Sequence, residues 1–178
     1  MPIGNYSAFI DILRIAIINK PKMVLDCGIG KGILAAAVRN WIDDSNHKTT
    51  IHGVEGFAAY RNKLWGNYDT VEIANLKTWQ PESKYNLIVL SDVIEHLTKF
   101  EGRQLIAKLK DALQTNGSLV ISTPADWIEQ GAVYGNELEI HKSQWTIHDF
   151  KDFYIVNDGE PDKWGNKQLV MEFIKLGF

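Results

Sequence analysis

The sequence predicts an α/β fold of three layers, with a sheet held between helices. Three observations carry that prediction. Short apolar runs of strand character alternate five times with longer amphipathic stretches, and two further strand-like runs close the chain. The run Tyr85-Asn86-Leu87-Ile88-Val89-Leu90 is apolar almost throughout, as expected of a strand covered on both faces. The 178 residues, 45% hydrophobic and 23% charged, show ordinary globular usage at a length that folds on one core. A single domain over residues 1–178 is therefore expected.

Each element has a local reason. Ser7 caps a first helix through about Asn19, with Phe9, Ile10, Leu13, Ala16 and Ile17 on one face, and Pro21 follows its end. Residues 23–27 form a short buried strand running into a glycine-rich turn. A helix over 32–42 follows, apolar at Leu34, Ala37, Val38 and Trp41. Residues 50–55 are the second strand, leading to a helix over 57–64, and 70–73 are the third. After the strand at 85–90, a helix over 100–114 aligns Leu105, Ile106, Leu109 and Leu113, and Asn116-Gly117 stops it. Residues 119–122 form a fifth strand, ended by Pro124. The rhythm then breaks for about 25 residues, and so long an irregular stretch reads as an active-site cover, 125–150, or a disordered insertion. A short helix over 146–153 and a hairpin of strands at 154–156 and 168–174 complete the chain.

Composition excludes several classes. The lone cysteine, Cys27, permits no internal disulfide and no zinc cluster, so a reducing compartment, the cytoplasm, is expected. The apolar stretch 8–18 is interrupted by Asp11 and Arg14, which makes it too short and too charged to span a bilayer, and no basic leader precedes it. The net charge of −3 is uneven: residues 125–162 hold nine acids and two bases, a local −7. Such a stretch repels phosphate backbones and argues against a nucleic-acid partner. A solvated acidic loop has the same composition.

The segment Leu25-Asp26-Cys27-Gly28-Ile29-Gly30-Lys31-Gly32 lies where a strand meets a helix. Glycines there let the backbone approach a ligand, and the helix N-terminus offers free amides. The pattern is G-x-G-x-G, with Ile33 where a dinucleotide fingerprint has its third glycine. Asp26 at the strand end would repel a pyrophosphate but suits a cofactor bearing an ammonium and a sulfonium. Glu55, at the end of the second strand, can accept hydrogen bonds from both hydroxyls of a ribose. A glycine turn serving strand–helix packing alone would not call for Glu55.

With these residues the chain resembles the class I S-adenosylmethionine-dependent methyltransferases. The segment 24–32 is similar to their first motif, Gly53-Val54-Glu55 to their second-strand acid, and Ser91-Asp92-Val93-Ile94-Glu95-His96-Leu97 to the segment after their fourth strand. The resemblance implies a Rossmann-like, seven-stranded, mostly parallel sheet with an antiparallel C-terminal hairpin. It implies S-adenosylmethionine held by Asp26, Gly28, Gly30, Gly32, Glu55 and Ser91, with Asn75 or Leu76 against the adenine.

Asp92, Glu95 and His96 stand at i, i+3 and i+4, so a helix beginning at Asp92 would project all three from one face. His141, in the stretch after the fifth strand, can return over the carboxyl ends of the sheet. Two carboxylates and two imidazoles suit Mn²⁺ or Mg²⁺ with open positions. These residues, with Ser122-Thr123-Pro124 and His141-Lys142-Ser143-Gln144-Trp145-Thr146, resemble the metal-dependent methyltransferases that modify the terminal ribose of small RNAs. Asp92 replaces their first Glu, and a basic RNA-binding appendage is missing. The same D-x-x-E-H-L pattern serves metal-free pockets, where Glu95 and His96 shape the site and His96 is the general base.

The expected function is methyl transfer to a small or medium polar acceptor, an oxygen ahead of a carbon or nitrogen. The cover contributes Trp127, Gln130, Tyr134, Asn136, Glu139, His141 and Trp145, groups that bind sugar-like rings and equally stabilise a lid. Two other classes share the fold plan. A nicotinamide oxidoreductase is disfavoured by Asp26, by Ile33 and by the final hairpin. A non-catalytic cofactor-binding scaffold is disfavoured by the joint presence of Asp26, Glu55, Asp92 and His96.

Overall fold

The computed structural model describes residues 6–163 and 165–177. Their strands are β1 (Met23–Cys27), β2 (Thr50–Glu55), β3 (Thr70–Ile73), β4 (Tyr85–Ser91), β5 (Leu113–Pro124), β6 (Tyr154–Asp158) and β7 (Gln168–Ile174). They form one seven-stranded sheet in the order β3-β2-β1-β4-β5-β7-β6. The first five pair in parallel, and β7 runs antiparallel to both β5 and β6. The expected sheet and C-terminal hairpin are therefore present.

Alternation of side chains along the strands divides the core. Val24, Ile51, Val89, Val120 and Val170 face helices α1 (Tyr6–Asn19) and α2 (Ile33–Trp41). Leu25, Ile88, Leu90, Ile121 and Met171 face α3 (Lys99–Asp111), together with Trp79, Trp145 and Phe150. Thr98 and Glu101 close a reciprocal capping box at the start of α3. The strand order reverses between β1 and β4, which opens a crevice at the carboxyl ends of the sheet. Among the described residues, no helix is long and apolar enough to cross a membrane.

Four local expectations are corrected. The helix expected over 57–64 is two 3-10 turns, Ala58–Tyr60 and Lys63–Asn67, because Arg61 and Asn62 are extended and the Asn62 side chain caps Leu64 N. The helix expected over 146–153 is a single turn at Ile147–Asp149, since Asp149 is drawn to Lys99 at 2.5 Å and Arg103 at 3.1 Å. α3 ends at Asp111. Asn116, at φ +61°, and Gly117 lie within β5, where the chain loops out between the pairs Tyr85–Leu113 and Leu87–Ser118. Finally, no helix starts at Asp92. Its backbone is left-handed at φ +50°, and only a 3-10 turn, Ile94–His96, follows.

Candidate active site

The crevice holds a cleft of about 360 Å³. β1 delivers Asp26 to its floor, and the glycine turn follows at once. Gly28 and Gly32 adopt φ +78° and +79°, where a side chain would be strained, and a Cβ on Gly28 would also come within 2.5 Å of Val93. Gly28 and Gly30 line the cleft, whereas Gly32 lies beneath Trp65 and Tyr68 and sets the entry to α2. Trp65 Nε1 donates to Gly30 O at 2.9 Å and fixes the turn from behind.

Glu55 ends β2 on the same cleft and is 6% exposed. Its Oε2 accepts from Gly30 N and its Oε1 from Phe57 N, both at 2.9 Å, so the carboxylate ties the glycine turn to the segment after β2. Burial raises its pKa against those bonds. Each oxygen keeps a lone pair for a ribose hydroxyl. Asp26 is 5% exposed and accepts from Tyr68 OH at 2.5 Å. Its pKa is pushed up to about 7, chiefly by burial, against that hydrogen bond and with Glu55 adding to the rise. Sequence reasoning missed Tyr68, for it arrives from the far end of the turns that replace the expected helix. Asn75 and Leu76 line the cleft after β3, Leu76 buried and Asn75 exposed with its Oδ1 capping Lys77 N. Ser91 ends β4, its hydroxyl 3.0 Å from that of Ser122.

The other rim carries the acid and the imidazoles. Glu95 is 4% exposed, accepts from Thr123 Oγ1 at 3.2 Å, and is held well above the carboxylate range by burial and by Asp92. Burial lowers the pKa of His96, so its ring is neutral at pH 7, and its Nδ1 is enclosed without a hydrogen-bond partner. His141 lies beside it, ring centroids 4.9 Å apart, with Nδ1 2.6 Å from Ile128 O. Ligand atoms of Glu95, His96 and His141 lie within 4.8 Å of one another. Asp92 stands outside that group, because its left-handed backbone removes the helical spacing that would have aligned it.

What brings His141 across is the segment after it. Lys142 N and Ser143 N donate to Glu95 O, Ser143 Oγ donates to Leu97 O, and Trp145 Nε1 donates to Ile94 O. Trp145 is fully buried, and a Cβ on Gly102 would sit inside its ring. It is a core anchor and no platform for a sugar. The cover's other end is fixed as well. Tyr60 OH donates to Glu139 Oε1 at 2.8 Å, Asn136 Nδ2 donates to Tyr60 OH at 3.2 Å, and Leu138 presses on the backbone of Gly56. Two of the cover's acids are paired, Asp149 with Lys99 and Arg103 and Asp126 with Lys167.

A glycine turn, two buried carboxylates and a crevice at the strand reversal define a nucleotide-cofactor enzyme of the methyltransferase type. The sequence matches the methyltransferase-domain family over residues 5–153, and the chain belongs to that family. It is a class I S-adenosylmethionine-dependent methyltransferase, which excludes the nicotinamide reading. No curated protein matches in sequence. Solved structures share the fold. One is the 1,6-didemethyltoxoflavin-N1-methyltransferase of Burkholderia thailandensis, with S-adenosylhomocysteine bound (17% identity, 96% of this chain and 79% of that one, TM-score 0.69). Another is an O-methyltransferase family protein from the same organism (14%, 97% and 56%, TM-score 0.64). A third is TehB from Haemophilus influenzae (15%, 94% and 62%, TM-score 0.66), so the chain spans less than two thirds of TehB. Nitrogen and oxygen methyltransferases both occur among these folds.

Proposed function

We propose that the chain methylates a hydroxyl of a small or medium polar acceptor, and that Glu95, His96 and His141 hold a divalent ion, Mn²⁺ or Mg²⁺, beside it. The convergence of those three side chains within 4.8 Å carries the reading. The donor set fits: one carboxylate and two imidazoles suit a divalent ion of intermediate hardness with open positions. Such an ion would lower the pKa of a bound hydroxyl. Bound S-adenosylmethionine supplies an electrophilic methyl on a sulfonium.

The protein's own work is orientation and exclusion of water. Asp26 and Glu55 offer acceptors to the ammonium and ribose ends of the cofactor, and Gly28 and Gly30 allow close approach. Asn75 and Leu76 border the adenine region and Ser91 the methionine side. The cover, 125–150, roofs the cleft and works with the rest of the chain as one unit. The buried thiol of Cys27 suits a reducing compartment such as the cytoplasm. His96 is favoured as the proton acceptor without a metal, because burial keeps its ring neutral.

Calorimetric titration with Mn²⁺ tests the ion. Binding should be micromolar or tighter in the wild type and lost in His141→Ala, while that variant keeps its affinity for S-adenosylhomocysteine. Turnover should fall with EDTA and return with Mn²⁺ or Mg²⁺. Absence of Mn²⁺ binding would remove the metal and leave His96 as base.

A further inference from the structure

Gln168 opens β7 with a side chain only 5% exposed, and its Oε1 is enclosed without a hydrogen-bond partner. A buried carbonyl oxygen in that state destabilises the protein, and an aliphatic residue of similar size at the same place would not. The cleft needs it for something other than folding.

Strand register says where it stands. Gln168 lies opposite Pro124 of β5, and it shares side-chain parity with Val170, on the α1 face of the sheet. There it lines the cleft with Phe9 and Ile12 of α1 and with Pro124. β7 is three strands from β1, so Gln168 is displaced from Asp26 by roughly 14 Å across the sheet, at about 4.8 Å per strand. It also sits beyond Ser122 in the strand direction, as Pro124 does. The glycine turn, Asp26 and Glu55 lie at one end of the cleft and Gln168 at the other. That is too far to serve the cofactor end, and it is the acceptor side.

We propose that Gln168 is a specificity-determining residue that accepts a hydrogen bond from an O–H or N–H of the methyl acceptor. The acceptor's apolar surface then lies against Phe9 and Ile12, while the atom to be methylated faces Glu95, His96 and His141. The acceptor carries at least two polar positions, one that reacts and one that is recognised. This rests on the small-acceptor reading above.

The test compares wild type with Gln168→Leu in three measurements. Leucine removes the unpaired oxygen, so the melting temperature should stay level or rise. The Kd for S-adenosylhomocysteine should stay within twofold. With catechol and uridine as acceptor probes, the KM of any probe that is methylated should rise at least tenfold, with kcat changed less than threefold. A fall of more than 5 °C would make Gln168 a folding residue, a tenfold loss of S-adenosylhomocysteine affinity would make it a cofactor residue, and an unchanged KM would show no contact; each overturns the proposal. If the wild type binds S-adenosylhomocysteine but methylates neither probe, the hydroxyl reading fails separately. The Kd of the two probes for the S-adenosylhomocysteine complex then decides Gln168: a Kd at least tenfold weaker in Gln168→Leu supports the proposal, and an equal Kd, or no binding of either probe to the wild type, overturns it.

Discussion

Asp26 carries the sharpest consequence at the scale of single residues. Burial lifts its carboxyl to about 7, while an unfolded aspartate titrates near 3.9. The folded state holds the proton more tightly. Its contribution to stability is therefore complete below about pH 4 and is lost as pH rises through 7. A cofactor bearing an ammonium favours the ionised form. Affinity for S-adenosylhomocysteine should accordingly rise between pH 6 and 8 with proton release, seen by calorimetry in buffers of different ionisation enthalpy, and Asp26→Asn should flatten the profile. Tyr68→Phe removes the donor that steadies the anion and should move the profile to higher pH. Glu55→Ala should weaken S-adenosylhomocysteine by about 1–3 kcal/mol, since ribose hydroxyls lose a buried acceptor; unchanged affinity would remove Glu55 from the ribose. Cys27, buried with its thiol pushed up by burial and by Asp26, should label with a thiol reagent only at the rate of global unfolding. Asp26, the glycines and Glu55 were legible in sequence because they act through backbone geometry at fixed offsets. Tyr68 and Gln168 were not, for their roles come from partners 42 residues away in one case and from a missing partner in the other.

At the scale of elements, Trp145 joins the cover to the core. Its ring fills the space over Gly102 and lies 5.4 Å from Phe150, with Lys99 Nζ 4.2 Å from its centre. Trp145→Ala should cost about 3–5 kcal/mol in urea unfolding, as large-to-small changes in a core do. It should also weaken Mn²⁺ binding, because His141 is carried into place by the same segment. A loss of stability with Mn²⁺ binding intact would separate anchor from site. Here the sequence was less readable. α1 is apolar on nearly every side, so periodicity selected a face containing Ile10 and Ile17, yet Ala8, Ile12, Ile15 and Ala16 are buried and Ile10 is 51% exposed. Packing against the sheet decided what an even hydrophobicity could not. The central strands β1, β2 and β4 were legible because each is short, largely buried and bounded by turn residues, whereas β5 runs to twelve residues and begins well before the apolar run that signalled it. The Asp92 spacing misled because one left-handed residue cancels helical phase, and no side-chain pattern records it.

For the molecule as a whole, the cover reaches from one end of the cleft to the other. It is held at the Glu95–Leu97 backbone on one side, and at Tyr60 and Gly56 beside Glu55 on the other. Leu138 is seated on Gly56, next to Glu55, so under the cofactor placement proposed above it would stand over the adenosyl group. The consequence is one of residence time. With the cofactor placed as proposed, its demethylated form would leave only when this segment lifts, so departure rather than chemistry should set the pace of turnover. Stopped-flow release of S-adenosylhomocysteine should be slower than the single-turnover step, and Leu138→Ala should speed release at least fivefold and ease product inhibition while leaving the Mn²⁺ affinity unaltered. Equal release rates in the two proteins would mean that the roof is open on the timescale of catalysis.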